Sequence, residues 1–290
     1  MATSTTSASS TGAAPRPDPS MRLPWRYRAI KWIRDHVVGL YSLLALLYLF
    51  VPVAVVVLFS FNKPAGRQNT RWNEFSLDAW TNICRDQTIC ESVGVSIRIA
   101  FLATLIATLL GTLIAFALVR HRFRGRESTN LLIFLPIATP EVVLGASLLA
   151  LFLNMGLNLG FATILFAHIM FCISFVVVTV KARLAGLDPR LEQAAMDLYA
   201  NEWQTFRRIT FPLVAPGIAA AALLAFSLSF DDFIITNFNS GQTVTFPMYV
   251  WGIAQRGIPP QVNVIGSIMF FGALAVVLLA QGARKARAKS

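Results

Sequence analysis

Three acidic residues lie within apolar segments of this chain, where acids are rare. Asp231 and Asp232 interrupt the run "AFSLSFDDFIITNF", and Glu141 follows Pro140 in "LPIATPEVVLGASLLALF". If these segments cross a membrane, each charge near mid-bilayer costs about 2.5–3.5 kcal/mol, so such acids usually face a cavity or a partner. The acids therefore favour a pathway for a cation. A structural ion pair, for example between Glu141 and Arg98, is the alternative.

Aromatic residues lie close enough to the two aspartates in the sequence to take part in the same chemistry. Phe230, Phe233, Tyr249 and Trp251 could each add a cation–π contact worth about 0.5–2 kcal/mol. A belt of aromatic side chains at the membrane interface has the same composition. For any single one of these rings the interfacial belt is the simpler interpretation.

The composition indicates that these residues belong to a membrane protein. Of the 290 residues, 56% are hydrophobic and 13% are charged, whereas about a quarter of a soluble domain is charged. Six segments have the roughly 20 mostly apolar residues that a membrane-crossing helix needs, so we expect an all-α membrane protein. The predicted spans are 38–60, 95–119, 130–153, 160–181, 212–235 and 262–281. The segment 236–261 is too polar to span, and we expect a re-entrant or short-helix excursion there.

Counting along the predicted spans separates the acids in depth. Glu141 lies about 11 residues into span 3, or roughly 16 Å along a helix, near the midplane. Pro136 and Pro140 should kink the helix beside it. Asp231 lies about 28 Å beyond the start of span 5, at the outer rim. Since neighbouring helical residues point about 100° apart, one aspartate could receive a ligand while the other braces the excursion.

The basic residues predict the orientation. Nineteen of the 25 Lys and Arg residues lie before the first span, in the 2–3 and 4–5 connections or after the last span. Since basic residues accumulate on the cytoplasmic side, both termini should be cytoplasmic.

We expect a disordered tail at 1–20, a transmembrane domain at 37–283 and a basic tail at 284–290. Residues 21–36 suit either an interfacial basic helix or a simple flank of the first span.

The net charge, the cysteines and the histidines exclude several kinds of function and assign none. The net charge of +11 is explained by topology, so we expect no nucleic-acid partner. Cys84 and Cys90 lie in the outer 1–2 loop, where an oxidising exterior permits a disulfide but the spacing does not require one. Cys172, within span 4, has the pattern of an apolar core residue. The three histidines are scattered, and neither a metal-ligand spacing nor a catalytic one is visible.

The 4–5 connection, residues 185–210, has the pattern of a helix–turn–helix. Its resemblance to a known signature, described next, gives it the name coupling loop. Asp188 and Pro189 suit a helix start. Apolar residues then recur at helical spacing. A break near Tyr199–Asn201 precedes a second short helix, roughly 202–208, that leads into span 5. From its residues alone, an ordinary amphipathic connector is the simpler interpretation.

The coupling loop resembles the signature of bacterial ABC importer permeases, which reads E-A-A, three residues, G, nine residues and I-x-L-P. Here the same spacing holds Gln193-Ala194-Ala195, Tyr199 and Ile209-Thr210-Phe211-Pro212. Gln193, Tyr199 and Phe211 depart from the pattern, and Glu192 could partly replace the missing acid. If the glycine of the family serves a turn with positive φ, Tyr199 would be strained there.

The resemblance implies a type I importer permease with six transmembrane helices in a bacterial inner membrane. It also implies that the coupling loop docks into a groove of a separate ATPase. The expected coupling residues are Glu192, Gln193, Ala194, Ala195, Asp197, Leu198, Tyr199, Ile209 and Pro212.

None of the 17 glycines is followed by Lys, so the chain lacks a phosphate loop. We expect no cofactor on this chain, with ATP and Mg in the partners. Those partners are a second six-span permease, two ATPase subunits, an external solute-binding protein and membrane lipid.

Two stretches narrow the resemblance, which covers almost all of residues 25–285. "LPIATPEVVLGASLLALF" and "LLAFSLSFDDFIITNFNSG" are similar to the second permease subunit of spermidine/putrescine importers. This implies inward transport of polyamines by alternating access, with no enzymatic activity in the chain itself. The implied pathway residues are Glu141, Phe230, Asp231, Asp232 and Trp251. Another cargo (an iron complex, an anion or an opine) stays open, as does an ATP-independent carrier.

Overall fold

The computed structural model describes residues 25–66 and 68–287. The predicted tail at 1–20, the first four residues of the flank at 21–36 and the last three of the tail at 284–290 lie outside these residues. The chain divides into two units, Met1–Val55 and Val56–Ser290. The described part of the first unit is helical throughout and belongs to α1 (Trp25–Ser60). The described residues of the flank are therefore helical and continuous with the first predicted span.

In the described part of the second unit, the regular elements are helices and one short antiparallel hairpin. Asn62 of its first strand lies opposite Phe75 of its second. In chain order its elements after α1 are β1 (Asn62–Lys63), β2 (Glu74–Phe75), α2 (Asp78–Thr81), α3 (Gln87–Arg120), α4 (Arg126–Ala138), α5 (Glu141–Asn154), α6 (Phe161–Ala185), α7 (Arg190–Asp197), α8 (Glu202–Thr205), a π-helical segment (Phe206–Thr210), α9 (Phe211–Asp231), α10 (Ile234–Asn239), α11 (Phe246–Ala254) and α12 (Pro260–Arg287).

Within the described residues, five helical stretches are long and apolar enough to cross a membrane. They are Lys31–Phe59, Gln87–Arg120, Phe161–Ala185, Glu202–Asp231 and Pro260–Leu279. The bent pair of α4 and α5 makes a sixth if it counts as one span. Each of the six predicted spans thus has a helical counterpart.

Helices α3, α6 and α9 pack together and form the centre of the second unit. Small residues recur every four positions on the buried face of α3: Ala103, Ala107, Gly111 and Ala115. A Cβ atom at Gly111 would lie 2.7 Å from Cγ1 of Val176 in α6. Small side chains let helix backbones approach closely in a membrane. The close approach explains why these four positions of α3 hold small residues, and it gives the other helices a fixed support.

The third predicted span departs from the expected kink. Instead of a single bent helix over 130–153, α4 and α5 meet at an angle of 110°. Pro140 has no amide to donate, and it restricts the preceding residue to extended backbone. Thr139 accordingly takes φ −83° and ψ 132°. Glu141 is therefore the first residue of a new helix rather than a residue midway along a straight one.

The fifth predicted span, 212–235, also ends earlier than expected. Helix α9 stops at Asp231, and Asp232 takes an extended conformation with φ −65° and ψ 125°. The chain then turns into two short helices, α10 and α11, where the sequence predicts an excursion over 236–261. This corner separates the two aspartates, because only the first of them belongs to the long helix.

Candidate functional site

A cleft of about 710 Å³ opens where α9 ends. Its walls come from α5, α6, α9, α10 and α11. All five residues expected along the substrate pathway line it: Glu141, Phe230, Asp231, Asp232 and Trp251. Sequence reasoning placed Glu141 and Asp231 at different depths, and the break before α5 makes that straight-helix estimate inapplicable.

The two acids that face the cleft have opposite relations to their helices. Glu141 is exposed in the first turn of α5, where the helix dipole stabilises a negative charge. Asp231 is exposed at the last residue of α9, where the same dipole opposes it. A cation bound beside Asp231 would relieve that repulsion, so the corner favours a positively charged ligand.

Asp232, in contrast, is turned into the protein. It is 9% exposed, and its Oδ2 atom accepts hydrogen bonds from the backbone N and Oγ1 of Thr236, both at 2.8 Å. Its Oδ1 atom accepts a longer bond of 3.4 Å from the backbone N of Ile235. Because these bonds use the free N–H groups at the start of α10, Asp232 braces that helix.

A histidine that the sequence analysis left unassigned completes this corner. His168 of α6 is 1% exposed. Its Nδ1 atom lies 2.7 Å from Oγ of Ser229, and its Nε2 atom lies 2.9 Å from Oγ1 of Thr236. Nε2 is also 3.3 Å from Oδ2 of Asp232. A neutral ring satisfies every group: Ser229 donates to Nδ1, Nε2–H donates to Thr236, and Thr236 donates to Asp232.

Aromatic rings form the remaining wall of the cleft. The Trp251 side chain is 65% exposed, and its ring centroid is 5.1 Å from that of Phe233. Phe230 packs on Phe246 with centroids 6.3 Å apart. The ring faces near two carboxylates can hold an organic cation, whose alkyl part contacts the rings while its charge meets an acid.

The coupling loop is attached to the helix bundle by Glu192 of α7. The carboxylate receives two hydrogen bonds from the Arg120 guanidinium at the end of α3, and one from Oγ1 of Thr210. The Arg120 hydrogen bonds hold the pKa of Glu192 below its usual range. Glu192 therefore faces its own chain and ties the loop to the ends of α3 and α9.

The turn of the coupling loop has the geometry that a glycine would suit. Tyr199 has φ 63°, the only positive φ of a non-glycine among the described residues. Its side chain is 98% exposed, so no packing within the chain compensates the strain. Asn201 then caps α8, its side chain accepting from the backbone N of Gln204 at 2.8 Å.

The other expected coupling residues fall into two groups. Ala195 is buried and Ile209 is half-buried, so both pack within this chain. Those that face outward are Gln193, Ala194, Asp197, Leu198 and Pro212. The outward group, with Tyr199, is the surface that a second protein could contact.

The loop before α3 carries the cysteine pair. The structure joins Cys84 and Cys90 by a disulfide with Cα atoms 5.5 Å apart. Within this loop Asp86 caps α3 by accepting from the backbone N of Thr88 at 3.0 Å. It also accepts a 2.8 Å hydrogen bond from the Tyr249 hydroxyl. The bond from Tyr249 lowers the pKa of Asp86. The pKa of Tyr249 is raised to about 12, mainly by burial and then by its hydrogen bond to Asp86.

In the part of the chain that the structure describes, no cluster of three or more His, Cys, Asp or Glu side chains could hold a metal ion. The groups that could bind a cargo or a partner are the carboxylates and aromatic rings of the cleft and the exposed residues of the coupling loop.

Comparison with known proteins identifies the family. The family described as "Binding-protein-dependent transport system inner membrane component" matches residues 85–284. The chain belongs to this family. It is therefore a multi-pass component of the inner membrane and a permease subunit rather than an enzyme, in agreement with the sequence-based expectation.

Two curated relatives are similar over most of their length. The spermidine/putrescine transport system permease protein PotC of Haemophilus influenzae is 36% identical over 235 residues, covering 81% of this chain and 91% of that protein. The putrescine transport system permease protein PotI of Escherichia coli K12 is 34% identical over 267 residues, covering 89% of this chain and 90% of that protein.

The fold is also found in solved importers. The structure resembles a chain of the bacterial alginate ABC transporter in complex with an alginate-bound periplasmic protein, with a TM-score of 0.60 and 16% identity, covering 89% of this chain and 95% of that one. At this identity the likeness concerns the fold alone. It confirms the predicted all-α type I ABC importer permease fold.

Proposed function

We propose that this chain is the permease subunit of an ATP-driven importer that carries polyamines or similar organic cations inward by alternating access. The observation that carries the proposal is the cleft in which Glu141 and Asp231 are both exposed beside Trp251. The names of the two curated relatives, a spermidine/putrescine and a putrescine permease, support the same cargo.

The chemistry of the cleft fits a flexible polycation. Each ammonium group can donate charge-assisted hydrogen bonds to one carboxylate, while the methylene segments between them contact Trp251 and Phe233. An anion would meet two acids with no described basic residue lining the cleft. The arrangement therefore selects for charge first and for shape second.

The rest of the assembly follows from the coupling loop. We propose that its outward residues dock on one of two ATPase subunits, that ATP and Mg bind in those subunits and that a second six-span permease completes the pathway. An external solute-binding protein would deliver the cargo to the cleft. In this arrangement both termini, including the predicted tails at 1–20 and 284–290, lie in the cytoplasm, and the transmembrane domain is 37–283.

Neutralising the cleft acids tests the proposal. In the complete complex, Glu141→Gln and Asp231→Asn should each lower spermidine uptake about tenfold or more while the amount of assembled complex stays unchanged. Glu127→Gln, which removes an exposed acid at the start of α4 outside the cleft, is the matched control. Normal uptake by both cleft variants would show that the two acids are structural.

A further inference from the structure

The corner that presents Asp231 to the cleft is held on both sides by one buried side chain. Ser229 precedes Asp231 by two residues, and Asp232 follows it directly. His168 contacts Oγ of Ser229 with one ring nitrogen and the Thr236–Asp232 pair with the other. Asp231 itself is exposed, so its direction depends on these two fixed neighbours.

The contacts of His168 cross three separate elements. The ring belongs to α6, Ser229 to the last turn of α9 and Thr236 to the first turn of α10. No helical hydrogen bond joins α9 to α10 at Asp232, where the backbone is extended. Side chains of α6 therefore help to set the relative direction of the two helices. Among the described residues, Thr163 bonds to α10 and Cys172 to α9, but His168 is the one α6 side chain that bonds to both helices.

We propose that His168 is a positioning residue for the cation-binding cleft, which it serves by fixing the α9–α10 corner and thereby the direction of the Asp231 carboxylate. The inference rests on the proposed function, because it concerns how the same cleft meets its cargo. His168 contributes no contact to the cargo itself, since it does not line the cleft.

The two ring nitrogens can be replaced one at a time. His168→Asn keeps a polar atom near the position of Nδ1, which faces Ser229. His168→Gln keeps one near the position of Nε2, which faces Thr236 and Asp232. His168→Phe keeps the ring volume and removes both. Cys172→Ala is the control, because Cys172 lies one turn further along α6, is fully buried and bonds to the Ala225 carbonyl instead of the corner.

The readout is the number of spermidine molecules imported per ATP hydrolysed by the complete complex, with loaded binding protein in excess. A role in folding alone would reduce the amount of complex but not this ratio. We expect His168→Phe to lower the ratio about fivefold or more and His168→Gln to stay within about twofold of the native chain. His168→Asn should fall between them, and Cys172→Ala should leave the ratio unchanged.

Asp231→Asn in the same assay separates this inference from the proposed function. If Asp231→Asn lowers uptake but His168→Phe behaves like Cys172→Ala, the positioning role is wrong and the cleft assignment stands. If Asp231→Asn alone leaves uptake unchanged, the direction of its carboxylate does not matter and the positioning role is wrong. If Glu141→Gln also leaves uptake unchanged, the cleft assignment itself fails. Should His168→Phe fail to assemble, the other two variants decide: a higher ratio for Gln than for Asn supports the role, and equal or reversed ratios overturn it.

Discussion

The acidic cleft and the coupling loop are built on the same plan with different chemistry. In each region one acid is bound by the chain itself, Asp232 by Thr236 and His168, and Glu192 by Arg120 and Thr210. Each region also has an exposed residue, namely Asp231, directly before Asp232, and Tyr199, in the turn that follows α7. The bound residue sets the geometry, and the exposed one is free to meet a partner or a cargo.

The difference between the regions lies in burial. Asp232 and His168 are buried, so their bonds are little affected by salt and depend on hydrogen-bond geometry. The side chains of Arg120 and Glu192 are 36% and 15% exposed, so solvent and salt weaken their attraction. A firm corner suits a binding site, while a weaker attachment suits a loop that moves during transport, as the proposed mechanism requires.

The largest expected effect concerns the outward face of the coupling loop. Ala194→Trp should nearly abolish the stimulation of ATP hydrolysis by substrate, because Ala194 is exposed on α7 and a large ring there would prevent close approach of a partner. The measurement is ATP hydrolysis by the reconstituted complex with and without loaded binding protein.

Ala194→Ser controls for the substitution itself, since it changes little volume. Ala195 is unsuited to the same test because it is buried, so enlarging it would disturb the loop directly. Full coupling in Ala194→Trp would remove the docking assignment and leave the loop as a connector, so the loop would no longer resemble the cleft as a site for a partner.

A smaller effect is expected from the anchor of the loop. Glu192→Gln should destabilise the chain by up to about 1 kcal/mol at pH 7, as for a partly exposed ion pair of good geometry. Since Arg120 lowers the pKa of Glu192, the stabilisation is present above about pH 4.3, the ordinary value for Glu. It is lost as the pH falls through the lower folded value.

Thermal unfolding of the purified chain in detergent at several pH values measures this contribution. The native chain should unfold at a higher temperature than the variant at pH 7, and the gap should narrow below about pH 4. A gap that is independent of pH would mean that the carboxylate charge does not hold the loop.

The smallest effect belongs to the turn. Tyr199→Gly should stabilise the chain by about 0.5–1 kcal/mol, because relief of a left-handed conformation, about 1–2 kcal/mol, is partly offset by the larger entropy that glycine loses. Leu198→Gly is the control, since φ at Leu198 is −88°, and it should destabilise by a similar amount. Equal losses in both variants would refute the strain at Tyr199.

The sequence was sufficient for features that depend only on residues close to one another in the chain. Hydropathy predicted the membrane helices, as for Phe161–Ala185, and the spacing after Ala195 located the turn at Tyr199. Pro140 predicted a bend but not its size, because the 110° angle between α4 and α5 depends on what each helix packs against.

Contacts between distant residues could not be read in the same way. His168 lies 61 residues from Ser229 and 68 from Thr236, and Arg120 lies 72 residues from Glu192. No periodicity connects such positions. For the same reason the sequence could say that one aspartate braces the excursion, but only the structure identifies it as Asp232.

The most direct test of the account is spermidine uptake by proteoliposomes that contain this chain with its second permease and ATPase subunits. We predict uptake only when ATP and loaded binding protein are both supplied, and none from liposomes that contain this chain alone. Uptake by the chain alone without ATP would contradict the account and show that the cleft belongs to an independent carrier.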